Sequence, residues 1–157
     1  MSLEMSLRIK KKIITKSEFE YSVKKFFNNK ELNAVNNYIY GISIHDFYNS
    51  YGIIFTLIED KKPPYNIYDS ELIKGEYEYS QVLSFEIDKT RELNIIYDTI
   101  FKYVLNMVKK FHLEALLTSD FSEDICLFQT DEVYYNKNVT IYNPDILIPE
   151  FNKINKI

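Results

Sequence analysis

One helical stripe set among strand-patterned runs constrains this chain more than any other feature of its sequence. Between about Thr90 and His112, Leu93, Ile96, Tyr97, Ile100, Val104, Met107, Val108 and Phe111 recur at i, i+3, i+4 and i+7. That spacing puts apolar side chains on one face of an α-helix. A helix of this length is ~34 Å long, and its apolar face needs a partner of similar extent, which the flanking runs supply. Leu3, Met5, Leu7 and Ile9 alternate with Glu4, Ser6, Arg8 and Lys10, the period-two signature of a half-buried strand. Tyr38 to Ile44 and Tyr51 to Glu59 are β-rich and predict hairpin partners around the turn-forming segment His45 to Ser50. In the second of these both faces are apolar, which predicts a central strand. Tyr77 to Ile87 predicts a further strand, with Tyr77, Tyr79, Leu83, Phe85 and Ile87 on one face. Glu76, Glu78, Ser80, Ser84, Glu86 and Asp88 then form an opposite, acidic face.

A shorter helix is predicted over about 18–28, opened by a Ser17-x-x-Glu20 capping box, carried by Phe19, Val23, Phe26 and Phe27, and stopped at Asn28-Asn29. The long helix is capped by Asp88 or Thr90, with Lys109, Lys110 and His112 complementing its C-terminal dipole. An extension through Glu114 to Thr118 is compatible with the pattern. Ile125 to Gln129, Val133 to Tyr135 and Val139 to Tyr142 predict a terminal meander. After Pro144, Ile146, Ile148 and Phe151 predict an extended strap. The order β-α-β-β-β-α-β-β-β lacks the regular alternation that builds a doubly wound parallel sheet. The expected fold class is α+β, a mainly antiparallel sheet with two helices packed on one face. No linker divides residues 1–157, so a single domain is expected.

Composition narrows function mostly by exclusion. Three glycines and four prolines exclude collagen-like and linker-like chains, and 46% hydrophobic content argues against disorder. The net charge is −4, and Arg8 and Arg91 are the sole arginines, so neither a global positive field nor the usual phosphate-reading side chain is present in strength. Nucleic acid is therefore not the expected partner, and the short lysine runs read as solvated surface. Cys126 is the one cysteine, which excludes an internal disulfide and a cysteine zinc cluster, and its apolar neighbours Ile125, Leu127 and Phe128 predict burial. No apolar leader segment and no run approaching ~18 apolar residues is present. A cytoplasmic protein without a membrane partner is expected.

Residues able to carry chemistry are few. Glycine-rich phosphate loops, nucleophile elbows and zinc-protease spacings are missing, and no cofactor is expected. His45 reads as a turn residue and His112 as a helix-end charge, with metal ligation or general-base work as the competing role. Asp120, Glu123 and Asp124 could hold a divalent cation or act as acid and base, but read more simply as a capped, solvated turn. The segment Asp60 to Gly75 is an unusually long connection, and such loops tend to carry function. Tyr65, Ile67 and Tyr68 make it partly apolar and Asp69 and Glu71 make it negative. Either a binding loop or a flap that closes the core accounts for it.

The opening Leu3-Glu4-Met5-Ser6-Leu7-Arg8-Ile9, the capped helix after it, the strand-rich middle, the long helix and the closing Ile125-Cys126-Leu127-Phe128 strand resemble one family in layout. The chain resembles the Sit-type immunity proteins of bacterial contact-dependent polymorphic toxin systems. The resemblance covers most of the chain, excludes the proline-containing loop and the C-terminal tail, and transfers no site residue. It implies a small cytoplasmic protein that binds and neutralises a cognate toxin, without catalytic or metal-binding residues of its own. Where the toxin is a basic nuclease, an acidic surface speeds association. The expected partner-binding residues are Glu76, Glu78, Glu86 and Asp88, followed by Asp120, Glu123 and Asp124, with Tyr65, Tyr68, Asp69 and Glu71 of the long loop. A small metal-dependent hydrolase built on His45 or on Asp120 to Asp124 is the competing reading, and a self-assembling module a third.

Overall fold

Alternation in the sequence becomes pleat in the computed structural model, which describes residues 3–120, 123–139, 145 and 153–156. Strand β1 (Leu3–Ile9) buries Met5, Leu7 and Ile9 on one side and turns Glu4, Ser6 and Arg8 to the other. It lies mid-sheet, antiparallel to β7 (Gln81–Ile87) on one flank and β8 (Ala115–Ser119) on the other. Beyond β7 come β4 (Ile53–Ile58), β3 (Gly41–Ile44) and β2 (Val35–Tyr38). Beyond β8 come β9 (Glu123–Gln129), β10 (Glu132–Tyr135) and β11 (Lys153–Lys156), the last parallel to β10. The result is a nine-stranded sheet.

Among the described residues three helices accompany it: α1 (Lys16–Phe26), α2 (Tyr48–Tyr51) and α3 (Leu93–Phe111). Phe19 and Val23 of α1 and Ile100, Tyr103, Val104 and Met107 of α3 share one apolar cluster with Leu7, Ile42, Phe55, Leu57, Leu83 and Phe85 of the sheet. Each such side chain contributes ~1.5–3 kcal/mol on burial. Phe55 sits at its middle, its ring centre 5.1 Å from Tyr103 and 5.7 Å from Phe85, both edge to face. The opposite side of the sheet carries a two-stranded hairpin, β5 (Ile67–Ser70) with β6 (Gly75–Glu78), hereafter the flap. Its Tyr68, Leu72, Ile73 and Tyr77 form a smaller cluster with Tyr79, Val82, Leu116 and Leu127. The α+β class and the dominance of antiparallel pairing are as the sequence predicts.

Several element bounds differ from expectation, each for a physical reason. The capping box uses Thr15 and Glu18, with Glu18 N–H donating to Thr15 Oγ1 at 3.2 Å and Thr15 N–H to Glu18 Oε1 at 3.1 Å. Gln81, fully buried, accepts from the N–H groups of Ile13 and Ile14 and donates to the Ile14 carbonyl, so the chain is fixed immediately before Thr15 and the helix starts there, not at Ser17. Asp88 closes a turn with Thr90 instead of capping α3, whose first turn has no side-chain cap. At the other end His112 adopts the left-handed conformation (φ 51°), so residues 115–119 leave the helix and become β8 instead of extending it. Tyr38 to Ile44 is two strands, β2 and β3, around a turn at Ile39-Tyr40. Gly41 is required there, because a Cβ would stand 2.6 Å from the Leu57 carbonyl oxygen of β4. The His45 to Ser50 turn contains the start of α2, which ends on Gly52 at φ 76°.

The greatest departure lies in Tyr77 to Ile87, which is not one strand. Tyr79 N–H bonds to the Asn66 carbonyl and Ser80 N–H to that of Ile9, so the ladder breaks between β6 and β7 and the faces exchange. Tyr77 and Tyr79 pack with Val82, on the side opposite Leu83, Phe85 and Ile87. The element order among the described residues is thus β-α-β-β-α-β-β-β-β-α-β-β-β-β, with three helices in place of two. Val139 is not in a strand, and residues 140–142, Ile146, Ile148 and Phe151 lie outside the described residues. Cys126 is buried in the main cluster, as expected. Among the described residues no helix is long and apolar enough to cross a membrane.

Candidate functional site

The flap is held on the sheet by one buried carboxylate that a strand irregularity aims at it. Between β8 and β9, Leu117 stands opposite Cys126 but Thr118 stands opposite Asp124, so Ile125 is an inserted residue. Ile125 and Cys126 both enter the helix-side core, and Asp124 is turned to the flap side, where it is 1% exposed. It accepts hydrogen bonds from the Tyr68 hydroxyl at 2.9 Å, the Leu72 N–H at 3.0 Å and the Ser70 hydroxyl. A buried charge requires such partners. Beside it the Arg8 guanidinium lies 4.2 Å over the Tyr68 ring and 5.6 Å from that of Tyr79, and donates to Thr118 Oγ1. Burial, followed by the bond to Asp124, pushes the Tyr68 hydroxyl up to about 12. Burial also raises Tyr77, whose hydroxyl finds no partner among the described residues. Tyr68 and Asp124, both expected to bind a partner, are therefore inward-facing anchors of the flap.

The outer side of the same hairpin is built differently. Tyr68 pairs with Tyr77 facing inward, so alternation turns Ile67, Asp69, Glu76 and Glu78 outward. Asp69 stands directly opposite Glu76, and Ile67 opposite Glu78. Glu71 is exposed in the turn that follows. Tyr65, 74% exposed, and Ile67, 46% exposed, add apolar area beside the charges. None of these four carboxylates has an ion pair among the described residues. Four expected partner-binding residues, Asp69, Glu71, Glu76 and Glu78, thus belong to one hairpin, with Tyr65 in the turn just before it.

A second carboxylate group lies on the same side of the large sheet. Glu86 stands opposite Glu4 across the β1–β7 ladder, and Glu4 accepts from the Ser84 hydroxyl. Asp120 accepts from the Glu4 N–H at 2.5 Å. Glu123, also expected to bind a partner, is not in this group: it pairs with Ser119, whose partner Met5 faces the helix side, so alternation turns it away from the flap. At the end of the sheet, Glu4, Asp120 and Glu123 line a cleft of about 130 Å³ together with Met5, Ile87 and Tyr97 of the helix side. Partial burial, with Glu4 adjacent, raises the Asp120 carboxyl above its ordinary value. Glu4 is absent from the sequence-based set, although its place in the Glu4, Ser6, Arg8 alternation already put it on this side. Asp88 belongs to neither group: hydrogen bonds from Thr90, with Arg91 close by, hold its carboxyl below the usual range in the turn before α3. The single acidic strand face expected from Glu76, Glu78, Glu86 and Asp88 is thereby divided, because the break after Tyr79 sends the first two into the flap and leaves the third on the main sheet.

The residues considered for metal or acid–base chemistry are not gathered. His45 follows β3 and contacts Asn36 of β2 at 3.3 Å, whereas His112 ends α3, and no contact joins the two among the described residues. Asp124 faces the flap while Asp120 faces Glu4. No group of three His, Cys, Asp or Glu side chains able to hold a metal ion occurs among the described residues. Comparison with protein-family models, curated proteins and solved structures finds no significant match.

Proposed function

We propose that this chain is a binding module of the immunity type, a non-catalytic cytoplasmic protein that docks on and neutralises a basic protein toxin through the outer face of its flap. The observation that carries this reading is the opposed pair Asp69 and Glu76 beside exposed Ile67. Like charges directly across a ladder destabilise it, and a two-stranded sheet has little stability to spare. A partner presenting lysine or arginine relieves that repulsion on docking, so the arrangement favours the bound state. Ile67 and Tyr65 provide the apolar contact around which such interfaces concentrate their energy. Glu4, Glu86 and Asp120 lie on the same side of the sheet and extend the negative field that steers a basic partner toward it.

The test is association kinetics with the product of the adjacent gene, after a pull-down establishes binding. Glu76→Lys combined with Glu78→Lys is expected to slow association at least ~10-fold at low salt and flatten its salt dependence. Unchanged rates would remove the flap face from the account. A neighbouring gene product that is neither toxic nor bound would overturn the immunity reading itself.

A further inference from the structure

The side of the molecule facing away from the flap carries the opposite charge. Helices α1 and α3 bring together six lysines, Lys16, Lys24, Lys25, Lys102, Lys109 and Lys110, against three carboxylates, Glu18, Glu20 and Asp98. Between the helices runs a groove of about 810 Å³, within the size range of small-ligand sites. It exists because the helices meet through Phe26, edge-on to Tyr103 at 5.4 Å, and through the small Ser22, whose hydroxyl lies 2.7 Å from that of Tyr103. Phe26, Tyr103 and Met107 line the groove together with Lys25, Lys109 and Lys110. No carboxylate lines it among the described residues.

We infer that this groove binds an amphipathic anion, a free small molecule bearing one carboxylate on an apolar chain. The charge pattern calls for the head group. At the groove's rim the half-exposed Tyr21 ring of α1 has the Lys110 ammonium of α3 4.9 Å from its centre and that of Lys25 at 6.0 Å, which brings the two cations to one place. Lys25 and Lys110 make no ion pair among the described residues, so an anion placed between them relieves their mutual repulsion. The groove's interior calls for the tail. Ser22 already donates to the Phe19 carbonyl at 2.6 Å and meets the Tyr103 hydroxyl, so this hydroxyl pair is satisfied internally and selects no polar body. The Phe26 and Tyr103 rings and the adaptable thioether of Met107 offer apolar contact to a flexible chain.

Calorimetric titration of the full chain with monomeric decanoate tests this, against decanol, acetate and phosphatidylglycerol vesicles. Saturable 1:1 binding of decanoate is expected, with decanol and acetate each at least tenfold weaker. Lys25→Glu with Lys110→Glu, both at exposed positions, should weaken decanoate at least tenfold. Asn106→Trp, exposed on α3 at the groove, should block it while leaving every lysine in place. Absent saturable binding, equal affinity for decanol or acetate, or affinity unchanged in both variants would overturn the inference. Binding to vesicles without binding to monomeric decanoate would overturn it in favour of a lipid surface.

Discussion

The two faces of the nine-stranded sheet are covered by different means. On the helix side, Phe55, Phe85, Tyr103, Leu7 and some two dozen other buried side chains form a continuous apolar cluster. On the flap side five buried residues, Tyr77, Tyr79, Val82, Leu116 and Leu127, do the same work over a much smaller area. The flap makes up the difference with polar contacts: three donors converge on Asp124, and Arg8 is sandwiched against Tyr68 and Tyr79. Apolar burial is non-directional and distributed, so the helix side tolerates no local opening. A cover pinned at one carboxylate can open while the rest stays folded. The helix side therefore sets whether the chain folds, and the flap side sets which surface it presents.

Truncation in the larger cluster gives the greatest effect. Phe55 is fully buried among four aromatic rings, those of Phe27, Phe47, Phe85 and Tyr103. Phe55→Ala should cost ~3–5 kcal/mol of global stability, a large share of what a domain of this size possesses. Urea unfolding followed by circular dichroism measures it, and a loss no larger than that of Tyr77→Ala would erase the distinction between the faces.

Asp124→Ala comes next. It leaves the Tyr68 hydroxyl, Ser70 hydroxyl and Leu72 N–H without their acceptor, and ~2–3 kcal/mol should be lost. The loss should be local, with hydrogen exchange accelerated across β5 and β6 while α3 and β4 keep their protection; uniform acceleration would make the flap part of the global unit. Alkali offers a second route to the same opening. Tyr68 keeps its proton to about 12 when folded but ionises near its ordinary value of 10 when released, so the flap's stability is full below that value and falls as pH rises through the window between them. Tyr77 is shifted in the same direction and adds to the effect.

The helix side was the more legible in the sequence, and the difference has a physical basis. The α3 stripe and the Leu3 to Ile9 alternation are local patterns enforced by burial against an extensive core, so they survive into the structure with small changes at the ends. The flap depends on contacts that local pattern does not encode. Tyr77-Glu78-Tyr79-Ser80 alternates straight into β7, and only the bonds from Tyr79 to Asn66 and from Ser80 to Ile9 reveal that the strand breaks and its faces exchange. The insertion of Ile125 that turns Asp124 inward is likewise fixed by pairing with β8 and leaves no mark in composition. Asp69, Glu71, Glu76 and Glu78 were legible as charged candidates, but their shared hairpin was not, because β5 reads as part of a loop. Asp88 and Asp124 were legible as carboxylates and not as a turn closer and an anchor, since each role requires a partner identified only by tertiary placement.

The smallest expected effect has the opposite sign from the others. Asp69→Lys replaces a repulsive cross-strand pair with an attractive one opposite Glu76, at an exposed position that contacts neither Asp124 nor Arg8. The flap should gain ~0.2–1 kcal/mol, read as slower exchange in β5 and β6 and a slightly higher urea midpoint. The same substitution subtracts charge from the docking face, so association with a basic partner should slow. Stability and binding would then move in opposite directions at a single residue, which a hairpin serving only to cover Leu116 and Leu127 gives no reason to expect. If Asp69→Lys leaves the flap's exchange and the partner's association rate both unchanged, the opposed carboxylates store no repulsion, and the outer face is ordinary solvated surface.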